Sequence, residues 1–452
     1  MKILVCVKVI KGELNPFDAS ALECALRLSD DVTVISMAAE SCKDTLRQLT
    51  RLGAKAVLIS DTAFAGSDTL ATSYILSAVI QTMDYDLIIC GRQSVDGDTA
   101  QTGPMLSKRL ELPLVCGVMG AERSDEGLHI RTRNGGAEIR LPALITVERG
   151  YILRFPSIFS KTDDVTVIDR AGFACDLSQC GLKGSPTRVI KSFENERGRR
   201  ICKFISMEAL FPLIEELIKR PTAERKQSPA YTGRRLKGVW AVGDAALEKA
   251  REIADEVVCI EASSAEEIAE RAVREKPRVI LWNADEWGRK NAAIAAVLLK
   301  TGLCADCTEL ETDGETLFMY RPAQGGSITA KIKCLTLPQM ATVRTKSTCE
   351  DIIVSGGRGI YAHMDQLRAL ADRLGAQLGA SRGLVDMNGA PYDMQIGLTG
   401  KMVSPKIYIA VGISGAVHHT CAIEGSGTVI AINPDKSARI FDYADYGIID
   451  RL

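Results

Sequence analysis

Over residues 1–150, short β-branched apolar runs alternate with longer amphipathic stretches. KILVCVKV reads as a strand, SALECALRLS as a helix, DVTVISMA as a strand and CKDTLRQLTRLG as a helix stopped by Gly53. AVLISD, TLATSYILSAVIQTM and DLIICG repeat the alternation. Apolar runs between helices predict strands buried on both sides, and so a parallel sheet with helices on both faces. Residues 128–149 alternate more strictly about Asn134-Gly135-Gly136, which predicts a hairpin on an antiparallel edge. Residues 150–235 lose the rhythm. They hold the punctuated segment GLKGSPTRV, one amphipathic helix in SMEALFPLIEELIKR, and the polar, proline-bearing PTAERKQSPAYTGRR, which reads as a linker. GVWAVG, EEIAERAVRE, RVILWN and KNAAIAAVLLKTG resume the βα pattern, with a hairpin expected in TLFMYRPAQGGSITAKIKCLTL. A third series runs from DIIVSGGRG through IYIAVGISG and TVIAINPD to the C-terminus. The expected boundaries are 1–195, an arm and linker over 196–236, then 237–345 and 346–452.

Composition narrows the function classes. The 452 residues carry a net charge of −1, and no Lys/Arg block marks a nucleic-acid or membrane footprint. No apolar run approaches the roughly 20 residues of a membrane helix. MKILVCVKVI lacks the features of a signal peptide, so a cytoplasmic location is expected. The 14 cysteines are scattered, and Cys6, Cys90, Cys259 and Cys334 sit in apolar strands where a free thiol acts as a small hydrophobe. Cys304 and Cys307 form one Cys-x-x-Cys, open to a redox role or half a zinc site. With no second pair or His at metal spacing, a structural role is favoured and no metal is expected.

Candidate chemistry concentrates in glycine-rich turns. The last hundred residues contain Ser355-Gly-Gly-Arg-Gly359, Gly379-Ala-Ser-Arg382, Gln395-Ile-Gly-Leu-Thr-Gly400, Gly412-Ile-Ser-Gly-Ala-Val-His-His419, Ala431-Ile-Asn433 and Ala444-Asp-Tyr-Gly-Ile448. Each turn follows a predicted strand or precedes a helix, where backbone N–H groups can approach a pyrophosphate. Arg358 and Arg382 offer cations for phosphate, Ser381 and Thr399 offer hydroxyls, and His419 a ring N–H. In the N-terminal region, Gly91-Arg-Gln-Ser-Val-Asp-Gly-Asp-Thr-Ala-Gln-Thr-Gly103 follows the strand DLIIC and opens a helix. This places Asp96, Asp98, Thr99 and Gln101 at the carboxyl edge of a parallel sheet. Asp98 or Thr99 is the expected helix cap, Asp96 a ribose or adenine contact, and Gln101 a phosphate contact. Gly103 is expected to keep the first helical turn open to a ligand.

Together the six C-terminal motifs resemble the FAD-binding domain of the α subunit of electron-transfer flavoproteins. Residues 1–190 resemble the β subunit of that family through Val5-Cys-Val-Lys8, Asn15-Pro-Phe-Asp18, Ala65-Gly-Ser-Asp-Thr69 and the 91–103 turn. Asp306-Cys-Thr and Arg321-Pro-Ala-Gln-Gly-Gly326 resemble a shortened α-subunit N-terminal domain. The implied fold class is α/β, with two parallel-sheet nucleotide-binding domains (adenine nucleotide alpha hydrolase-like) and a third, doubly wound FAD-binding domain. The implied cofactors are FAD in the α-type site and a second FAD or AMP in the β-type site. By resemblance, the α-type site takes Arg358, Ser381, Arg382 over the isoalloxazine, Gln395, Thr399 near N5, Gly400, Ser414, His418, His419 near O2, Asn433 and Asp445. The β-type site takes Cys6, Asn15, Asp68, Thr69, Asp96, Asp98, Thr99, Gln101, Thr102 and Gly103.

The implied function is a flavin-dependent electron carrier with no small-molecule substrate of its own. Arg154-Phe-Pro-Ser-Ile158 resembles the family's docking loop, with Ile158 as anchor for an acyl-CoA dehydrogenase-like partner. Gly181-Leu-Lys-Gly-Ser-Pro-Thr187 resembles a segment of members that oxidise NADH and bifurcate its electrons to ferredoxin or flavodoxin. Departures from the family pattern at Leu398, His418 and Ala422-Ile423 motivate an alternative of another class: an AMP-binding sensor or assembly module without redox role.

Overall fold

The fold is described from a computed structural model, which describes residues 1–194, 200–219, 233–324, 328–344, 351–397 and 400–452. The expected linker and the Leu398-Thr399 pair lie largely or wholly outside these residues. The chain divides into two compact units. One comprises Met1–Ser192, Gly233–Gln324 and Ala330–Arg344; the other comprises Phe193–Thr232, Gly325–Thr329 and Thr345–Leu452.

The first unit holds a nine-stranded sheet in the order Val165–Ile168, Lys55–Ile59, Asp31–Met37, Lys2–Cys6, Leu87–Gly91, Ala143–Val147, Leu114–Arg123, Gly127–Thr132, Gly135–Arg140. The first seven strands are parallel, and the last two form the expected antiparallel hairpin at the edge. Burial on both faces is visible along one strand. Ile3 and Val5 join one apolar cluster with Ala21 and Leu22, while Leu4 and Cys6 join another with Ile75 and Val79. The strand Val165–Ile168 is not announced by the sequence. It is short and half exposed, and parallel pairing with Lys55–Ile59 holds it at the other edge.

A second, wholly parallel sheet of this unit runs Ala254–Cys259, Leu236–Val242, Val279–Asn283, Gln339–Val343, Leu303–Cys307. Cys259 is exposed on its edge strand, not buried as its apolar neighbours suggest, because the edge has one uncovered side. The two halves of the unit share a core, in which Leu70 and Met105 pack with Trp240, Trp282, Ala292 and Ala293. The alanine-rich helix Glu286–Leu299 lets the helix Thr102–Arg109 approach closely. The hairpin expected near 317–336 is present as Leu317–Ala323 and Ile328–Cys334, neighbours in a four-stranded sheet.

The second unit is a seven-stranded parallel sheet in the order Lys203–Phe204, Tyr446–Ile448, Thr428–Ile432, Ile407–Val411, Ile352–Gly356, Gln377–Ser381, Gln395–Ile396. The amphipathic helix of the arm, Leu210–Lys219, buries Leu210, Ile214 and Leu217 in the same cluster as Val354 and Ile409. Lys406 donates to Ile218 O at 2.6 Å, closing the last turn of that helix.

Gly103 has a packing reason. A Cβ there would fall 2.4 Å from Thr146 Cγ2 on the strand Ala143–Val147. Gly103→Ala is therefore expected to destabilise the protein by about 1–3 kcal/mol through overpacking. Adding Thr146→Ser, which removes that methyl and keeps the hydroxyl, should restore most of the loss in a denaturant-unfolding double-mutant cycle. Strict additivity of the two substitutions would place the strain elsewhere.

Candidate functional sites

In the first unit the chain leaves Lys2–Cys6 toward Asp31–Met37 and later returns as Leu87–Gly91 on the opposite side. Loops that diverge from neighbouring parallel strands open a crevice at their carboxyl ends. A cavity of about 360 Å³ lies there, lined by Cys6, Val7 and Lys8 from one strand end and Cys90 and Gly91 from the other. Its far wall comes from Leu303, Cys304 and Ala305 of the second sheet of the same unit and from Arg321 of the four-stranded sheet.

Most expected β-type residues gather at this cavity, several of them in structural roles. Asn15 is buried and staples the 93–95 loop, donating to Gln93 O at 2.9 Å and accepting from Val95 N–H at 3.2 Å. Asp68 caps the helix Thr69–Ile80 through Leu70 and Ala71 N–H, and its other oxygen accepts from the Thr187 N–H and hydroxyl at 3.0 and 2.7 Å. Cys6, Thr99 and Thr102 line the cavity. Gln101 also lines it but is 2 % exposed and forms a tie rather than a free ligand. Its Oε1 accepts from Thr69 Oγ1 at 2.6 Å, and its Nε2 donates to Leu303 O at 3.2 Å.

The structure corrects the rest of the 91–103 turn. The helix begins at Thr102, with Gln101 at the cap position and no side-chain cap, so neither Asp98 nor Thr99 caps it. The intervening turn is too long for either side chain to serve. Asp98, in a left-handed conformation (φ 50°), accepts from Gln93 Nε2 at 3.0 Å, and its carbonyl accepts from Arg321 Nη2 at 3.1 Å. Asp96 pairs with Lys8 Nζ at 2.7 Å and accepts from Gly97 N–H at 2.8 Å. Asp96, Asp98 and Gly103 do not line the cavity.

Sequence reading missed Asp18, Lys8 and Arg321 as site residues, although each lies in a quoted motif. Asp18 lines the cavity and is buried; Oδ2 accepts from Lys8 N–H at 2.7 Å. Burial pushes its carboxyl up to about 7, against hydrogen bonds from Lys8, Asn15 and Gly91 that favour the anion.

In the second unit the strand order outward from Ile352–Gly356 is that of a doubly wound nucleotide fold, with the reversal between Ile352–Gly356 and Ile407–Val411. The Gly356–Gly359 and Gly412–Ser414 turns meet at this point. Gly357 N–H donates to Val411 O at 2.7 Å and Gly359 N–H to Gly412 O at 3.1 Å. A Cβ on Gly357 would fall 2.1 Å from Gly412 O, so only glycine permits this approach. Arg358 is exposed beside Gly383, and Arg382 pairs with Asp386 at 3.2 Å. Ser381 caps the short helix Arg382–Asp386, Ser414 and His418 are exposed, and Gly400 closes on Gly397 O at 3.0 Å. Gln395 is fully buried. Asn433 donates to Ile413 O at 2.9 Å and accepts from Asp435 N–H at 2.9 Å, bracing the turn. Thr399 lies outside the described residues.

Two expected residues are placed differently. Asp445 bonds Val429 N–H at 2.8 Å, at the amino end of Thr428–Ile432, and pairs with Arg200. It therefore sits at the opposite edge of the sheet from the glycine turns. His419 is 5 % exposed. Its Nδ1–H donates to Ile396 O at 3.0 Å, and Nε2 accepts from Tyr408 OH at 2.8 Å. A carbonyl can only accept, so this tautomer follows, and burial lowers the ring to about 4, keeping it neutral. No N–H of this ring is left for a flavin O2, and the exposed imidazole at this turn is His418.

The comparisons with known proteins agree with this geometry. A model described as electron transfer flavoprotein domain matches residues 3–169 and 241–356, more than half of the chain. The chain belongs to the electron transfer flavoprotein family. The family's FAD-binding domain matches residues 348–424, within the second unit. Among relatives, the electron transfer flavoprotein subunit alpha of Thermoanaerobacterium thermosaccharolyticum is 40% identical over 235 residues, 42% of this chain and 71% of that protein. The subunit beta of the same organism is 37% identical over 225 residues, 46% of this chain and 86% of that protein. Protein FixB of Rhizobium meliloti is 39% identical over 222 residues, 38% of this chain and 63% of that protein. The electron transfer flavoprotein chain described here thus fuses β-type and α-type sequences. Its family gives it a flavin-dependent electron-transfer role, FAD as cofactor, and a place among proteins that pair with dehydrogenases and other redox partners.

Asp18 makes the first-unit cavity sensitive to pH. Its folded pKa is raised above the ordinary 3.8. The folded state therefore holds the proton longer, and stability falls as pH rises from about 4 to about 7, by at most about 1.4 kcal/mol per pH unit. Relative to Asp18→Asn, the parent's unfolding free energy should fall between about pH 4 and pH 7, measured by denaturant unfolding across pH. Parallel pH profiles for the two proteins would show that Asp18 does not hold its proton in the folded state.

Proposed function

We propose that this chain carries electrons through two FAD molecules, one per unit, between an acyl-CoA dehydrogenase-like flavoenzyme and other redox partners. The observation that carries the second FAD is the first-unit cavity at a strand-order reversal, walled by the buried guanidinium of Arg321. Arg321 Nε has no protein partner, and a buried cationic donor of this kind suits a phosphate or a flavin edge. In the second unit the glycine cradle, with Arg358, Arg382, Ser414 and His418 around it, would hold the other FAD. The isoalloxazine ring accepts and releases electrons singly or in pairs. In the extended form of this reading, NADH delivers a pair at the first-unit site, and one electron of each pair goes to ferredoxin or flavodoxin. The second reading, AMP in the first unit, is favoured by volume, since about 360 Å³ suits an adenylate and a whole FAD must project through the mouth.

Acid-denatured pure protein separates the readings. Two FAD per chain support the two-flavin carrier; one FAD and one AMP assign the simple carrier.

The proposed docking segment is the loop after Gly150. Phe155 is 94 % exposed, Ile158 86 % and Phe159 85 %. Its base is fixed by Arg154, which grips Glu23 Oε2 and Oε1 at 3.0 and 3.1 Å. Burial alone would raise the Glu23 carboxyl, but bonds from Arg154 and Arg27 hold it at about 2. Single exposed apolar side chains are ordinary, whereas a cluster marks an interaction surface. Ile158→Asp with Phe159→Asp should raise the KM for a reduced dehydrogenase about tenfold or more, the loss of one buried side chain or more. FAD content should stay unchanged. An unaltered KM removes this loop from docking.

A further inference from the structure

Residues three apart on a regular strand face opposite sides of the sheet. Cys304 and Cys307 do not. Between them the pairing of Leu303–Cys307 with Gln339–Val343 slips, so that Cys304 aligns with Ala341 and Cys307 with Val343. The strand thus carries one extra residue, a β-bulge, and Asp306 adopts a left-handed conformation there (φ 55°). The one-residue slip puts Cys304 and Cys307 on one side of the strand, and Cys307 Sγ donates to Cys304 O at 3.7 Å.

The bulge is held firmly. Asp306 is gripped by Arg289 at 2.8 and 3.0 Å and by Arg344 at 2.8 Å, and its own N–H donates to Thr342 Oγ1 at 2.7 Å. Cys304 lines the first-unit cavity beside Arg321. Cys304 faces the cavity, where the Arg321 charge favours a thiolate, and Cys307, which does not line the cavity, stands behind it. A zinc half-site would need further ligands, and among the described residues no metal-capable group is present.

We propose that Cys304 and Cys307 form a redox-active dithiol that exchanges an electron pair with a flavin bound in the first-unit cavity. The proposal rests on the reading that this cavity holds FAD. In the oxidising direction two S–H bonds break and one S–S bond forms. The two electrons and two protons released pass to the oxidised isoalloxazine, which becomes its dihydro form. The reverse step restores the dithiol. The pair would thus store two electrons next to the cofactor.

The test uses the full chain, reduced with a phosphine, freed of reductant without oxygen and incubated with oxidised FAD. Flavin and AMP content, flavin bleaching and cysteine alkylation after denaturation are read on the same sample. The expected result is two FAD per chain, one flavin bleached per chain, and the peptide holding both cysteines two hydrogens lighter and unalkylated. Cys307→Ser, away from the cavity lining, should keep the FAD content, lose the bleaching and leave Cys304 fully alkylated, while Cys334→Ser should behave as the parent. Two FAD per chain with both cysteines alkylated overturns the dithiol alone. One FAD with one AMP overturns the two-flavin reading and the flavin-coupled dithiol with it.

Discussion

The arrangement depends on one property of parallel sheets: where successive connections leave neighbouring strands in opposite directions, a gap opens at the carboxyl edge that no side chain of the sheet fills. This happens between Lys2–Cys6 and Leu87–Gly91 in the first unit, and between Ile352–Gly356 and Ile407–Val411 in the second. In each case the strands are buried on both faces, so most polar chemistry gathers at the strand ends and in the segments beyond them. In the second unit the gap is narrowed until glycine backbones touch, as Gly357 and Gly412 do. In the first it stays wide enough for a cavity.

The first-unit cavity is also where the two halves of that unit are tied together. Thr69, Gln101 and Leu303 form a continuous hydrogen-bonded chain from one sheet to the other, and Arg321 reaches back to the Asp98 carbonyl. Residues that look like ligand contacts in sequence thus spend much of their bonding capacity on structure. A ligand bound there would meet backbone N–H groups, the Thr99 and Thr102 segment, Asp18 and Arg321. Ligand binding and the joining of the two halves are then coupled by shared residues, and loosening one should loosen the other.

The unusual electrostatics of the unit are local. Asp18 is buried with too few donors to keep its charge cheaply, while Asp306, equally buried, has two guanidinium partners and a third nearby that hold it well below the carboxylate range. The same residue type is pushed in opposite directions by what stands beside it. One consequence is a proton held near neutral pH in the cavity; the other is a rigid bulge that sets the positions of two thiols.

The sequence by itself determined most strands and helices of the first series and several of the other two, the hairpin about Asn134, the amphipathic arm helix and the family, because apolar period and glycine spacing are local signals. Resemblance to the family placed Cys6, Asn15, Asp68, Thr69 and Gln101 at one site, and the parallel sheet, whose strand ends converge, brings them together. Tertiary structure decided what those residues do. Gly103 answers to Thr146 across a helix–strand contact, His419 to Tyr408 and Ile396, and Asp445 to Val429 and Arg200 at the far edge; none of these partners is near in sequence. Cys304 and Cys307 show the limit most plainly. Spacing alone puts them on opposite faces, and only the slipped register beside Gln339–Val343, with the arginines that fix Asp306, turns them to one side.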